Sequence, residues 1–373
     1  MQPKALLQTM DDHGFRTFYG VPDSTLKHLC ACLNAQAAEG RNIICANEGA
    51  AIGLGIGHHL ATGEVPVAYM QNSGLGNSVN PLLSLGDPDV YGIPMLLIIG
   101  WRGEPGKTDE PQHVKQGRIT LELLQTMEIP YSVIDGDLAD AQKAVAAASK
   151  WFSSNKAPYA LVVKKGAFEA FSVPDVKEQA FPMTREEAVD CILKATSDDD
   201  IIVSTTGMAS REVFELREAN NQGHQQDFLT VGGMGHCSQI AMGVAMAKPD
   251  RRVVCIDGDG AAIMHMGSMA VIGASHLPNL THIVLNNGVH DSVGGQPNVA
   301  RDVDLTKIAQ ACGYSASNPA EDMAALHNAV THTEGAQDTR FIEVFVRRGH
   351  RADLGRPTLS PAQNKAAFME FVG

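Results

Sequence analysis

The chain has 373 residues, 44% of them hydrophobic and 19% charged, with a formal net charge of −13. That length suits two domains of ordinary size. The negative balance argues against general nucleic-acid binding, and no apolar stretch is long enough to suggest a membrane-spanning helix.

Short apolar runs alternate with helical patterns along the first half. Residues 43–46 read as a strand and 49–60 as a helix; 66–70 follow as a strand and 77–85 as a helix; 95–99 and 159–163 read as strands. A stretch without clear period, holding Pro174 and Pro182, interrupts the pattern. It resumes with a capping box at Thr184-Arg185-Glu186-Glu187. Strands are then expected at 201–203, 228–231, 253–256, 283–285 and 341–346. Helices are expected from about 209, from the glycine turn at 232–235 to 246, and over 263–275. Such alternation predicts an α/β protein with two doubly wound parallel sheets. The division expected is a domain over 1–170, a linker over 171–183 and a domain over 184–373.

The N-terminus lacks the long apolar core of a secretory leader. Seven cysteines with no CxxC pair suit a reducing cytoplasm. Fourteen histidines show no HExxH and no zinc-ligand spacing, so no transition-metal site is expected.

The densest chemistry lies at Ile256-Asp257-Gly258-Asp259-Gly260 and Asn286-Asn287. Each pattern is an apolar run that ends in hard oxygen donors. If the two strands are parallel neighbours, Asp259 and Asn287 share one sheet edge, a donor set suited to Mg²⁺ and phosphate. Glu48 ends another β run in front of an apolar helix. It reads equally as a partly buried proton carrier or as an acid that merely complements the helix dipole.

Two patterns tempt and fail. Gly100 to Thr108 nearly forms a P-loop, but Trp101 stands where that motif needs glycine and no amphipathic helix is expected beyond Pro111. A mobile loop carrying Arg102, Lys107, His113, Lys115 and Arg118 is the better reading; such a loop could gather an anionic substrate. Gly53, Gly55 and Gly57 fall inside a helix, where close packing explains them better than a dinucleotide fingerprint does.

Together these elements resemble the thiamine diphosphate (ThDP) enzymes, in which a GDG…NN pattern marks the diphosphate–Mg²⁺ site; here 25 residues lie between Gly260 and Asn286. The resemblance implies a pyrimidine domain and a diphosphate domain of the ThDP-binding fold. It implies Mg²⁺ on Asp259, the Asn287 side chain and the Val289 carbonyl, with Gly258, Gly260 and Ala261 beside the cofactor. It places Glu48 on the aminopyrimidine, Gly232 and Met234 against the pyrimidine, and Gly207-Met208-Ala209-Ser210 at the diphosphate.

The gap between halves leaves no room for a middle domain. That resembles the compact branch holding the phosphonopyruvate and sulfopyruvate decarboxylases. Gly20-Val21-Pro22-Asp23-Ser24, residues 100–120 and 204–211, Leu161 to Gly166 and Asn287 to Ser292 look most like the phosphonopyruvate decarboxylases. Asn286 departs from a related form with Asp there. The implied substrate is a small anionic 2-oxo acid. Glu48, His113, His290 and Asp291 stand as catalytic candidates; Asp23, Ser24, Arg102, Lys107, Lys115 and Arg118 stand as substrate contacts. The implied partner is a second copy of the chain, with sites shared between subunits. Sulfopyruvate enzymes often divide the two domains between chains, so fusion favours the phosphonate.

Overall fold

The structure, a computed structural model, describes residues 1–36, 40–171, 181–316, 319–332 and 337–373. Two units divide it, Met1–Val176 and Lys177–Gly373. Most of the stretch read as a linker, residues 172–180, lies outside the described residues.

The first unit builds a parallel sheet from β1 (Phe18–Gly20), β2 (Asn42–Ile44), β3 (Val67–Gln71), β4 (Leu96–Trp101), β5 (Tyr131–Ile134) and β6 (Tyr159–Lys164), in the order β2-β1-β3-β4-β6-β5. The central strands are apolar on both faces, as a sheet covered by helices on both sides requires. Alternate residues go to opposite cores: Val67, Tyr69, Leu96 and Ile98 to one, Ala68, Met70, Leu97 and Ile99 to the other.

The second unit repeats the scheme with β7 (Ile201–Ser204), β8 (Asp227–Leu229), β9 (Val253–Gly258) and β10 (Leu280–Asn286). A small antiparallel hairpin, β11 (Val289–His290) with β12 (Gln296–Pro297), intervenes before β13 (Ser315–Ala316) and β14 (Arg340–Phe345). The large sheet runs β8-β7-β9-β10-β14-β13. Counted from its own first strand and leaving the hairpin aside, each unit reads 2-1-3-4-6-5. Val254, Ile256, Ile283 and Leu285 face one core; Val253, Cys255 and Val284 face the other.

Several expected elements change. Strands β1, β5 and β13 were not expected from the sequence. The helix expected over 77–85 begins at Leu75, and passes at Pro81 into a π turn, Leu82–Gly86. The helix expected over 263–275 is two short helices, Asp259–Met264 and Gly267–Gly273, broken where His265 leaves helical geometry. The loop expected through Arg118 ends at Pro111, which opens a helix to Thr126. Its buried face is His113, Gly117, Thr120 and Leu124, so the helical spacing carries almost no apolar signal. The capping box at Thr184 and Glu187 forms as expected. Of the three helix glycines, only Gly55 is tightly packed, against Met95 and Pro66; Gly53 and Gly57 meet open space.

Candidate active site

Parallel register sets the geometry of the second unit. Gly258 pairs with Leu285, so the residues after both strands leave the sheet at one edge. Asp259 is the first residue of its helix, not part of a free turn. Its Oδ2 accepts the backbone N–H groups of Asn287 (3.1 Å) and Gly288 (2.6 Å), and its Oδ1 that of Gly260 (2.6 Å). Burial pushes this carboxyl up to about 6 against those donors. A divalent cation would reverse the cost, because the charge that burial opposes would gain a partner.

Asn287 is 5% exposed. Its Oδ1 accepts the Val289 N–H at 3.0 Å, and its Nδ2 donates to Asp291 Oδ2 at 2.8 Å. An amide oxygen has two lone pairs, so one is left for a ligand. The carboxylate of Asp259, the carboxamide of Asn287 and the carbonyl of Val289 are all hard oxygen donors, the chemistry Mg²⁺ takes.

Two more strand-end turns stand beside them. After β7, Gly207 (φ 97°) caps the helix Met208–Ala219, a geometry that only glycine adopts without strain. Ala209 and Ser210 are buried, and Ser210 Oγ donates to the Thr205 carbonyl. After β8, the Gly232 N–H donates to Thr206 Oγ1 at 2.9 Å, tying the two turns together. Met234 and His290 converge on Gly260: a Cβ there would lie 3.3 Å from Met234 Cε and 2.6 Å from His290 Cε1. Burial holds the His290 imidazole down at about 4, against the pull of Asp291. Ala261 is buried in the following helix.

In the first unit, Glu48 opens the helix Glu48–Thr62, with Asn47 as its cap. The carboxylate is buried, 6% exposed, and its Oε2 accepts the Asn77 amide at 2.7 Å. Asn77 and Gly74, against which Glu48 packs, carried no signal of their own in the sequence.

The loop after β4 is more committed than its charges suggest. Arg102 bonds Asp109 through Nε at 2.8 Å and also through Nη2, while its Nη1 donates to Ser24 Oγ at 2.6 Å. Burial alone would raise the Asp109 carboxyl; Arg102 and two backbone N–H groups outweigh it and hold it well below the usual range. Asn72, the residue after β3, grips both backbone groups of Arg102, accepting its N–H at 3.1 Å and donating to its carbonyl at 2.9 Å. Lys107, Lys115 and Arg118 are exposed.

Asp23, expected as a substrate contact, lies in the interior of the first unit. It is fully buried, and its Oδ2 holds the Thr25 and Leu26 N–H groups. Burial raises its pKa, opposed by Arg102. His113 is buried with Nδ1 lacking a hydrogen-bond partner, and burial and Arg102 both lower its pKa. Asp291 has a different occupation from proton transfer: it binds Arg185 Nη1 at 2.7 Å, Asn287 Nδ2 and the Gly349 N–H. Arg185 was read only as part of a capping box; its partner lies 106 residues away.

Cys237, Cys255 and Asp257 also gather ligand atoms within 4.8 Å, wholly buried. The two Sγ atoms are 3.8 Å apart, and burial raises both thiol pKa values. Among the described residues, no helix is long and apolar enough to cross a membrane.

Residues 3–124 match the family model described as thiamine pyrophosphate enzyme, N-terminal TPP binding domain, and residues 205–344 match its C-terminal TPP binding domain. The chain is 36% identical over 374 residues to the phosphonopyruvate decarboxylase of Streptomyces viridochromogenes, covering 96% of this chain and 92% of that one. It is 26% identical over 387 residues to the sulfopyruvate decarboxylase of Methanosarcina acetivorans, covering 98% and 96%. The sulfopyruvate decarboxylase subunit beta of Methanococcus maripaludis is 28% identical over 190 residues, 51% of this chain and 98% of that one. The Methanosarcina relative spans both halves in one chain, so fusion does not separate phosphonate from sulfonate enzymes.

Proposed function

The chain belongs to the phosphonopyruvate decarboxylase family of thiamine pyrophosphate enzymes, and from that premise we propose that it converts 3-phosphonopyruvate to phosphonoacetaldehyde and CO₂. The observation that carries the reading is the all-oxygen set of Asp259, Asn287 and Val289 at one edge of the second sheet. These residues would hold Mg²⁺. The turn at Gly207, opening a 12-residue helix with Met208, Ala209 and Ser210, suits the diphosphate through its backbone N–H groups. Gly232 and Met234 suit the pyrimidine side, with Gly258, Gly260 and Ala261 lining the edge between.

Bound ThDP supplies the electron sink for loss of CO₂ from a 2-oxo acid. The chain's own task is positioning and proton handling. Glu48, buried and held by Asn77, would hold and share the proton at the pyrimidine N1′ once the cofactor is bound. His290, kept neutral by burial, stands at the same edge as Met234 as the candidate nearest the cofactor site. Ser24 is well placed for an anionic substrate: Arg102 donates to its oxygen, which leaves the hydroxyl proton to give. Lys107, Lys115 and Arg118 supply exposed positive charge on the loop and helix that follow β4, and His113 offers an unpartnered ring nitrogen. Arg102 itself, neutralised by Asp109, orients Ser24 in place of clamping the phosphonate.

We place the enzyme in the cytoplasm, where seven free cysteines remain reduced. We infer a homo-oligomer as the working unit; a fully active monomer in sedimentation and assay would contradict this.

The deciding assay is CO₂ release from phosphonopyruvate, sulfopyruvate and pyruvate, with and without ThDP and Mg²⁺. Phosphonopyruvate should turn over fastest and require both. Faster release from sulfopyruvate would move the chain to the sulfonate branch. No release from any substrate, with cofactor bound, would make it a silent binding protein.

A further inference from the structure

We propose that Asp291, held by Arg185, is a positioning residue that fixes which end of the Asn287 carboxamide faces the metal site. The inference rests on the Mg²⁺ reading above and concerns how the chain presents its amide ligand.

Arg185 opens the helix Arg185–Lys194 and is almost fully enclosed, its side chain 8% exposed. Nε and Nη2 form a bidentate pair with Glu212 at 2.8 and 2.9 Å. The remaining terminal nitrogen, Nη1, reaches Asp291 Oδ2 at 2.7 Å. The bidentate pair with Glu212 fixes the plane of the guanidinium, so Nη1 meets Asp291 from a set direction. Asp291 is bound further by the Gly349 N–H, at 3.2 Å to Oδ1 and 3.1 Å to Oδ2. Three segments distant in sequence therefore meet on one carboxylate.

A carboxylate can only accept hydrogen bonds. Asn287 must turn its NH₂ toward Asp291, where the contact is 2.8 Å. A flipped amide would set its oxygen against a carboxylate oxygen and its NH₂ against the Val289 N–H, losing two bonds at once. The Val289 bond favours the same sense. It belongs, however, to the loop whose own carbonyl is a ligand, whereas Asp291 ties the amide to a buried helix. The charges agree with this role. One guanidinium faces two carboxylates, leaving one negative charge unbalanced beside the buried Asp259 edge, where a dication would be welcome.

The test is calorimetric titration of the full chain with ThDP at graded Mg²⁺, with a melting curve for each variant. A wild-type chain that binds no ThDP with Mg²⁺ overturns the functional reading, and this inference with it. Given wild-type binding, Asp291→Ala should weaken the apparent Mg²⁺ affinity about 10- to 100-fold, the usual effect of losing a partner that orients a ligand. The decisive measurement repeats Asp291→Ala in an Asn287→Asp background. A carboxylate there offers oxygen at both ends, so orientation no longer matters and removing Asp291 should cost nothing more. Affinity within twofold of wild type for Asp291→Ala alone overturns the proposal. An equal loss in both backgrounds also overturns it, because that outcome marks a loop merely held in place.

Discussion

Gly74 leaves the space that Glu48 occupies: a Cβ on Gly74 would stand 2.5 Å from Glu48 Cγ and 2.6 Å from Oε1. The backbone of Gly74, at φ −70° and ψ −14°, would accept alanine without strain. Gly74→Ala therefore presses first on the Glu48 side chain. It should lower kcat about 100-fold, the scale of a roughly 1 Å misplacement at a reacting group. Stability should fall by only about 1–3 kcal/mol, as for a modest overpacking. Near-normal turnover in this variant would mean that the position of Glu48 does not matter.

Glu48→Gln keeps the shape of the side chain and an oxygen for Asn77 while removing the acid. Loss of a positioned proton carrier should cost at least about 100-fold in kcat, with an unchanged melting curve by circular dichroism. A variant of ordinary rate would remove Glu48 from the chemistry.

The Arg102–Asp109 pair predicts an acid-range signature. Asp109 titrates lower in the fold than in the unfolded chain, where a carboxyl titrates near pH ~4. Its stabilisation is therefore complete above about pH 4 and is lost as pH falls through the folded value. In denaturant titrations, Asp109→Asn should cost about 2 kcal/mol near neutrality, as for a hydrogen bond to a charged group, and the gap should close below about pH 4. A gap that stays constant into strong acid would refute the pairing.

Gly117 lets the helix Pro111–Thr126 touch the end of β4. A Cβ there would come within 1.8 Å of the Gly103 carbonyl oxygen, which is backbone and cannot swing aside. The Trp101 indole also donates to the Gly117 carbonyl at 2.8 Å. Gly117→Ala should destabilise the chain by about 3 kcal/mol, at the upper end of overpacking costs, read from the urea midpoint. A midpoint unchanged from wild type would place the helix elsewhere.

What was legible follows from the reach of each signal. Asp259 and Asn287 each sit one residue beyond an apolar strand, so a local pattern located them and parallel pairing brought them together. The helix carrying His113, Lys115 and Arg118 was missed because its buried face is a histidine, a glycine, a threonine and one leucine. Asp23 reads as a substrate contact from a local string, and its burial shows only in the packed structure. The hold of Arg185 on Asp291 joins residues 106 apart and has no period to detect.

The shared strand order of the two units has a genealogical consequence. In each, the residue just past the third strand grips the backbone just past the fourth: Asn72 holds the Arg102 N–H, and Asp259 holds that of Asn287. A copied ancestor would leave this same bolt in both descendants after the rest of their sequences had drifted apart. At this one position the two units differ in a single functional group. The amide closes its bond as a neutral, finished piece of scaffold, whereas the acid makes the same bond and keeps a charge left over for an ion.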